Sequence, residues 1–509
     1  MSGNTPPHPS AWLFLAALAF GVVTSRTAMS QENNEDRVVR MRLEGNTALD
    51  PYSYKTLPEW HIHENLTATL VEITEAKNEG EIRGVIAERW DIRDSGKTYE
   101  FHLSDKFRWS DGSPITAKQV ATSIFRKSQH RSALYLPLIL LPGPLERAVE
   151  VKNDRTLTVR LKGDFPGFLH LLARAEFGVL SEEGLAGKRM TTATPTSGPY
   201  KLGEISEERI TLLRNQHYPH DLDSSESAPA KIVFSDIEEA DLVDVVEKGE
   251  LDFLEIVSEN VLKAAESNPS YEVVAGAVAN NLYTIQSRRA DAKQRKLLAI
   301  LAAYLANDAV DKLVEGKDKR QRATTMFFDS KARPFEPEKL DKQAAKAAVA
   351  ECGHHVIRLQ LGTDATDNQK EDLPILTEIC KEIGIELEVQ PQDGPNQLSD
   401  DYESNLVLMG TYAFNEVELY FGYFCSGYPP YRTLRNIVDE ILNELSRPGV
   451  SDRETREGLR KLHRTLRDSG YLVPLYHLPR FYLVNRRLDH GGFRGVVPYP
   501  RFKRFEWRR

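Results

Sequence analysis

Cysteine is scarce in this chain: Cys352, Cys380 and Cys425 are the three among 509 residues. Three thiols cannot all pair with one another, and no Cys-x-x-Cys occurs, so neither a zinc knuckle nor a dithiol redox centre is supported. An exported chain permits one disulfide, with the three pairings equally open, and the alternative is burial as small apolar residues. A basic excess is also missing. The 66 Lys and Arg are outnumbered by 75 Asp and Glu, for a net charge of -9, so nucleic acid is not an expected partner. The basic run from Arg501 to Arg509, interleaved with Phe502, Phe505 and Trp507, reads as an amphipathic terminal strand docked on the body. Long apolar runs are missing beyond Ala11 to Val23, which is short of the ~20 residues that span a bilayer. Catalytic signatures are missing too: there is no Gly-x-Ser-x-Gly, His-Glu-x-x-His, Gly-x-x-x-x-Gly-Lys-Ser/Thr or strand-borne Gly-x-Gly-x-x-Gly.

What is present starts with that apolar run. Ala28 and Ser30 follow it at the minus-three and minus-one positions of a cut before Gln31, so residues 1–30 read as a secretory signal peptide. An uncleaved anchor is the alternative, because the segment before the run has no Lys or Arg. At this length one core does not suffice, and two or three domains are expected. Hydrophobic residues at 40% and charged residues at 28% are ordinary globular values.

The stretch from Gly84 to Phe125 is the best-defined local unit. Tyr99, Phe101 and Leu103 alternate with Glu100 and His102 as in a strand with one apolar face. Asp94-Ser-Gly-Lys97 and Asp111-Gly-Ser-Pro114 read as turns. Thr116 and Gln119 then have the spacing of a capping box that opens a helix carrying Val120, Ile124 and Phe125. Further along, strands are expected at Val38 to Leu43, Leu157 to Leu161, Ile210 to Arg214 and Lys231 to Phe234. Helices are expected at Asp241 to Lys248, Lys293 to Val314 and Arg453 to Asp468. Strand Val356 to Leu361, helix Gln369 to Ile383 and strand Ile385 to Val389 have the length of one βαβ crossover. His61, His63 and Glu64 lie in a helical stretch, where histidines two apart point in different directions. They read as solvent or pocket-wall side chains in preference to metal ligands. His354 and His355 read as a loop feature.

Several of these strings together resemble the family 5 extracellular solute-binding proteins, the oligopeptide, dipeptide and nickel binders of bacterial ABC importers. They are the block from Gly84 to Phe125 with its Trp-Ser-Asp-Gly turn, Leu49-Asp-Pro51, Ser197-Gly-Pro-Tyr200, Arg214-Asn-Gln-His-Tyr218, Gly249-Glu-Leu-Asp252 and the return segment Tyr471 to Tyr476. The resemblance covers roughly residues 38 to 500 and is densest from 84 to 255. It implies an α/β, two-lobed periplasmic-binding-protein-like fold of type II with an extra inserted domain and two crossing strands at the hinge. It further implies a first lobe from residues 38–63, 185–280 and 480–509, an inserted domain from 64–184, and a second lobe from 281–479.

By the same resemblance the chain is a non-catalytic, exported receptor, periplasmic or extracellular. It would capture an oligopeptide or dipeptide between the lobes, deliver it to an ABC transporter permease, and act as a monomer with no cofactor or metal. The cleft is expected to be lined by Tyr54, Trp60, Tyr200 and Tyr283, and by Tyr412, Phe414, Asn415 and Glu416 after the strand Leu406 to Met409. Aromatic rings in such a place supply large contact area. The chain departs from the family there. Peptide binders carry tryptophan after the glycine of this loop and an aspartate for the peptide's amino terminus, whereas Thr411 follows Gly410 and only Glu416 offers a carboxylate. The phenylalanine-asparagine pair expected near the first crossing is replaced by Ile285-Gln286-Ser287. These departures keep open a saccharide, opine or metal-chelate ligand, or a degenerate relative acting as a sensing or interaction module. A hydrolase would need Ser426 or Cys425 as nucleophile, with no base positioned for either.

Overall fold

Alternation in Val38–Leu43 buries Val39, Met41 and Leu43 on one face. This strand starts a four-stranded sheet, pairing in parallel with Lys231–Asp236, which is followed outward by Arg209–Arg214 and Tyr200–Ile205, both antiparallel to their neighbours. The computed structural model describes residues 37–508 apart from 44–46, 48, 51–56, 75–80, 129–139, 141–143, 164–166, 188, 220–226, 257, 288–290, 318, 326–335, 362–364, 366, 392–403, 412–434, 446–449 and 494–499.

A second four-stranded sheet, entirely antiparallel, runs in the order Ala87–Arg93, Thr98–Leu103, Thr156–Arg160, Val149–Asn153. Tyr99, Phe101 and Leu103 enter a core with Phe107, Trp109 and Phe168. The capping box predicted for the helix Ala117–Ser128 forms: the Thr116 amide donates to Gln119 Oε1 at 3.0 Å and the Gln119 amide to Thr116 Oγ1 at 3.4 Å. Trp109 Nε1 donates to the same Gln119 oxygen at 3.2 Å, tying the Trp-Ser-Asp-Gly turn to the helix start. Gly112 holds φ of +89° in that turn, a conformation that disfavours a side chain.

The third sheet joins the two halves of the molecule. Its order is Phe253–Ile256, Leu472–Asn485, Tyr271–Ser287, Ser404–Thr411, Val356–Leu361, Glu386–Pro391, with Gln321–Arg322 also on Leu472–Asn485. Tyr271–Ser287 and Leu472–Asn485 are the two long crossing strands. Their ladder runs from Tyr271 to Ala275 and again from Asn280, with a register break between and a second shift between Tyr283 and Thr284, and each strand serves one core on one side of the first break and another core on the other. Before the break, Val273 and Leu483 pack with Leu251, Leu254 and the helix Glu259–Ser267. After it, Tyr283, Ile285, Val473 and Tyr476 pack with the helix Ala292–Tyr304. The βαβ unit is present as Val356–Leu361, Asp367–Glu382 and Glu386–Pro391, with the two strands parallel.

Three expectations are corrected. The helix expected from Lys293 to Val314 stops at Tyr304. It continues as a π turn over Leu305–Ala309, in which Asn307 leaves helical dihedrals at ψ of -120° and its carbonyl accepts from Arg322 at 3.3 Å, before a short helix Asp311–Val314. The return segment expected from Tyr471 to Tyr476 is the start of a much longer strand, Leu472–Asn485. His61 and His63, expected at solvent or a pocket wall, are interior along with Glu64: the helix Leu57–Leu66 is enclosed, and burial lowers both histidines to about 3. Glu64 pairs there with Arg501.

The C-terminal run docks as expected, through a turn at Phe502–Arg504 and a short strand Glu506–Trp507 paired with Leu488–Asp489. Its cations are not solvated. Arg501 and Lys503 are buried against Glu72 at 3.0 and 3.4 Å, Arg504 meets the same carboxylate group at 3.0 Å, and Lys503 donates to Tyr218 at 2.9 Å. Glu72 belongs to the strand Val71–Ile73 at the entry to the second sheet's core, so the tail fastens that core to the first.

Candidate functional site

Parallel strands deliver loops and helix N-termini to their carboxyl ends, and open α/β sheets bind ligands there. The strand Phe253–Ile256 ends at the register break and leads through Ser258 into the helix Glu259–Ser267. On the far side of the break, Val356–Leu361 leads into the helix Asp367–Glu382, whose first turn carries Asn368. The starts of these two helices and the segment around Gly316, Lys317 and Arg320 face one another across a cavity of about 480 Å3, floored by Leu478 and Phe481 of the second crossing strand. That volume lies within the range of small-molecule sites, and its walls belong to two different cores.

The second-core wall is held by a buried polar cluster. Tyr283 and Tyr476 are a cross-strand pair with ring centroids 4.5 Å apart and planes 18° apart. Asn368 Nδ2 donates to the Tyr283 hydroxyl at 3.2 Å, and the Tyr476 hydroxyl donates to Asp372 Oδ2. Arg320 Nη1 donates to Asp372 Oδ1 at 2.6 Å and to the Leu313 carbonyl at 3.0 Å, while its guanidinium carbon lies 4.4 Å from the Tyr476 ring centre. Lys317 reaches Asp372 at 3.4 Å. Burial, then the neighbouring Tyr283 and Asp372, drive the Tyr476 hydroxyl well above its usual range, so it stays a neutral donor. Burial opposes the charge on Arg320, but Tyr476 and Asp372 outweigh it and hold the guanidinium protonated. From the first core, Glu266 meets Lys319 in an ion pair that crosses the cavity's edge.

The residues expected to line the cleft divide in three. Tyr54, Tyr412, Phe414, Asn415 and Glu416 lie outside the described residues. Trp60 is half-buried on the helix Leu57–Leu66. Tyr200 and Tyr283 are each 1% exposed. Tyr200 sits in the first sheet's core with its hydroxyl on the Pro229 carbonyl at 2.9 Å, where it packs the lobe and presents no cleft surface. Tyr283 stands one hydrogen bond behind Asn368, which lines the cavity. Sequence reasoning missed Arg320, Asn368 and Asp372. The basic run Lys317 to Arg320 after Gly316 was the available signal, but nothing local shows that a carboxylate 52 positions later in the chain faces it.

Metal-ligating sets are few among the described residues. Asp91, Glu100 and His102 converge on the second sheet, where Lys152 and Arg93 already occupy the Glu100 carboxylate and oppose a cation. Cys352 and Cys380 are free thiols, and burial raises Cys380 to about 12. Cys425 lies outside the described residues. No helix of the described residues is long and apolar enough to cross a membrane.

Comparison with known proteins gives one consistent answer. Residues 81–429 match the family described as bacterial extracellular solute-binding proteins, family 5 Middle. The probable peptide ABC transporter periplasmic-binding protein y4tO of Sinorhizobium fredii is 25% identical over 413 residues, 75% of this chain and 76% of its own. The periplasmic oligopeptide-binding protein OppA of Salmonella typhimurium is 22% identical across 96% of both chains. Among solved structures, the substrate-binding domain of an oligopeptide ABC transporter from Bacillus anthracis superposes with a TM-score of 0.74 at 19% identity, covering 93% of this chain and 99% of that one. The murein tripeptide binding protein MppA of Escherichia coli gives 0.74 at 18%, covering 92% and 98%. With two lobes on two crossing strands, a cavity between them and a family match over most of its length, this chain belongs to the family 5 bacterial extracellular solute-binding proteins, transport receptors of ABC importers and not enzymes.

Proposed function

We propose that this receptor binds short peptides in the cavity between its lobes and hands them to an ABC importer permease. The observation that carries the reading is the cavity itself: about 480 Å3, walled by the helix starts of two cores and floored by a crossing strand, so that a ligand held there touches both lobes at once. A ligand that bridges two lobes favours the arrangement in which both walls reach it, and so drives closure. The peptide-binding relatives support the ligand class. In this reading residues 38–63, 185–280 and 480–509 form the first lobe, 64–184 the inserted domain and 281–479 the second lobe. Tyr412, Phe414, Asn415 and Glu416 follow the strand Ser404–Thr411 and complete the pocket with Tyr54 and Trp60, Glu416 neutralising the ligand's ammonium. Residues 1–30 direct export and are removed, and the mature chain works as a monomer, one ligand per closed pair of lobes.

The test is mass spectrometry of whatever is released when the chain, exported from a bacterial host and purified in its native state, is denatured. A ladder of short peptide masses supports the reading. A single non-peptide mass keeps the receptor and changes its substrate. An empty protein that no peptide mixture stabilises overturns it.

A further inference from the structure

The ion pair at the edge of the cavity joins two partners that are each fixed to a different core. Glu266 lies in the last turn of the helix Glu259–Ser267, whose Val261, Leu262, Ala264 and Ala265 are buried. The end of that helix is pinned by the Asn268 side-chain amide, which donates to the Val246 and Glu247 carbonyls at 2.8 and 3.0 Å. Lys319 is footed on the second core. The residue after it, Arg320, donates from its backbone to the Lys317 carbonyl at 3.1 Å and from its buried side chain to Asp372 and the Leu313 carbonyl. The strand Gln321–Arg322 then pairs with His477 and Tyr476. From that footing Lys319 reaches away from its own core. Its ammonium meets Glu266 and lies 4.9 Å from the ring centre of Phe481, a first-core residue on the cavity floor. Lys317, two positions earlier, turns the other way, to Asp372. A cation held by both a carboxylate and a ring face is attracted by each. The crossing strands that connect the cores lose their ladder between Ala275, the partner of Phe481, and Asn280. Bending at that break parts the two walls and takes Lys319 from both of its contacts.

We infer that Lys319 is a latch between the lobes: its contacts with Glu266 and Phe481 favour the closed arrangement before any ligand enters. The inference rests on the reading of two lobes that close, and not on the identity of the ligand. With the Lys319 and Glu266 side chains 32% and 46% exposed, the pair is partly screened by water and salt, so the latch biases the equilibrium without locking it. A bias of about threefold to tenfold is the range of one such pair and one cation–ring contact. A ligand that binds the closed form gains affinity by up to that factor, because a larger share of the free protein is already competent to hold it.

The test is small-angle X-ray scattering of the exported, purified chain, stripped of ligand and checked as empty by native mass spectrometry. Lys319→Glu and Glu266→Lys each set like charges across the cavity's edge, and the double variant restores the attraction with its sense reversed. Each single variant is expected to raise the ratio of open to closed molecules by about threefold or more, read as a larger radius of gyration. The double variant is expected to recover part of the closed population. Lys319→Met keeps the stem beside Phe481, removes the charge and introduces no repulsion, and it is expected to open the lobes as well. Single variants that scatter like the unaltered chain overturn the inference, and so does a double variant as open as either single one. Opening in Lys319→Glu without any in Lys319→Met assigns the effect to the new repulsion and also overturns it. The ligand reading is decided separately by the mass spectrum of released material. A peptide ladder with unresponsive scattering removes the latch alone, and responsive scattering without peptides upholds the latch and removes the peptide.

Discussion

Tyr476 lies flat against Tyr283, one from each crossing strand, with ring centroids 4.5 Å apart and the Tyr476 hydroxyl donating to the buried Asp372. This pair sits at the meeting of sheet, cavity wall and charge cluster. Its rings fill the second core while their hydroxyls hold Asn368 and Asp372 at the cavity.

Tyr476→Phe keeps the stacked ring and removes one donor from a buried carboxylate. Chemical unfolding should show a loss of about 1–3 kcal/mol with an unchanged denaturant slope, because an acceptor is left unsatisfied and no cavity is made. An unchanged midpoint would mean that Asp372 is held by Arg320 and Lys317 alone.

His61, His63 and His463 are buried, and burial lowers each from 6.5 to about 3. The unfolded chain binds protons at these positions from about pH 6.5 downward, while the folded chain does not until pH nears 3. Their neutral burial therefore contributes stability above pH 6.5 that is lost as the pH falls toward 3. The slope is up to ~1.4 kcal/mol per pH unit for each histidine. Glu72, whose carboxyl burial would raise but whose cations Lys503, Arg501 and Arg504 together lower well below its usual range, adds to the loss below about pH 4.5. Urea midpoints measured from pH 7.5 to 5 should fall, and His63→Gln should flatten that fall.

Gly198 shows why the Ser-Gly-Pro-Tyr string has its glycine. A Cβ built there would lie 2.5 Å from the Leu66 carbonyl carbon and 2.6 Å from the Thr67 amide nitrogen, where the turn meets the end of the helix Leu57–Leu66. The Gly198 amide also donates to the Leu66 carbonyl at 2.9 Å, so the backbone cannot back away without breaking that bond. Gly198→Ala should cost about 1–3 kcal/mol in thermal or chemical unfolding. Gly163→Ala, where no described residue lies within 4 Å of the added Cβ, serves as the neutral control.

Arg501→Met would take the paired guanidinium from the buried Glu64, while Glu72 keeps Lys503, Arg504 and Arg83. Breaking a buried pair from one side costs about 3–5 kcal/mol. The double variant Arg501→Met, Glu64→Gln should recover part of that loss, and a double variant no more stable than the single one would show that the pair acts only through packing.

Much of the local architecture was legible. The capping box at Thr116 and Gln119, the alternation at Tyr99, Phe101 and Leu103, and the βαβ unit from Val356 rest on residues within a few positions of each other, where periodicity and hydrogen-bonding chemistry are written directly. The family was legible from short strings: Trp109 to Ser113 encodes a turn whose side chains bond near neighbours, whereas in Ser197 to Tyr200 the side chains hold the turn to distant backbone, Ser197 to Val179 and Ala68 and Tyr200 to Pro229. Of the candidate site, little was readable. The resemblance places Tyr200 and Tyr283 at the cleft, but a tyrosine ring suits a core and a cleft equally, and only burial separates the two.

The sequence by itself determined the strands, the capped helices, the absence of catalytic motifs and the family, because each depends on near neighbours in the chain. Tertiary structure decided which charges are buried and what they face. Arg320 meets Asp372, and Arg501 meets Glu64, only after strands hundreds of residues apart have paired. A lysine or glutamate reads the same in the sequence whether water or another lobe surrounds it. Desolvation, which sets the worth of each of these charges, is a property of the packed chain alone.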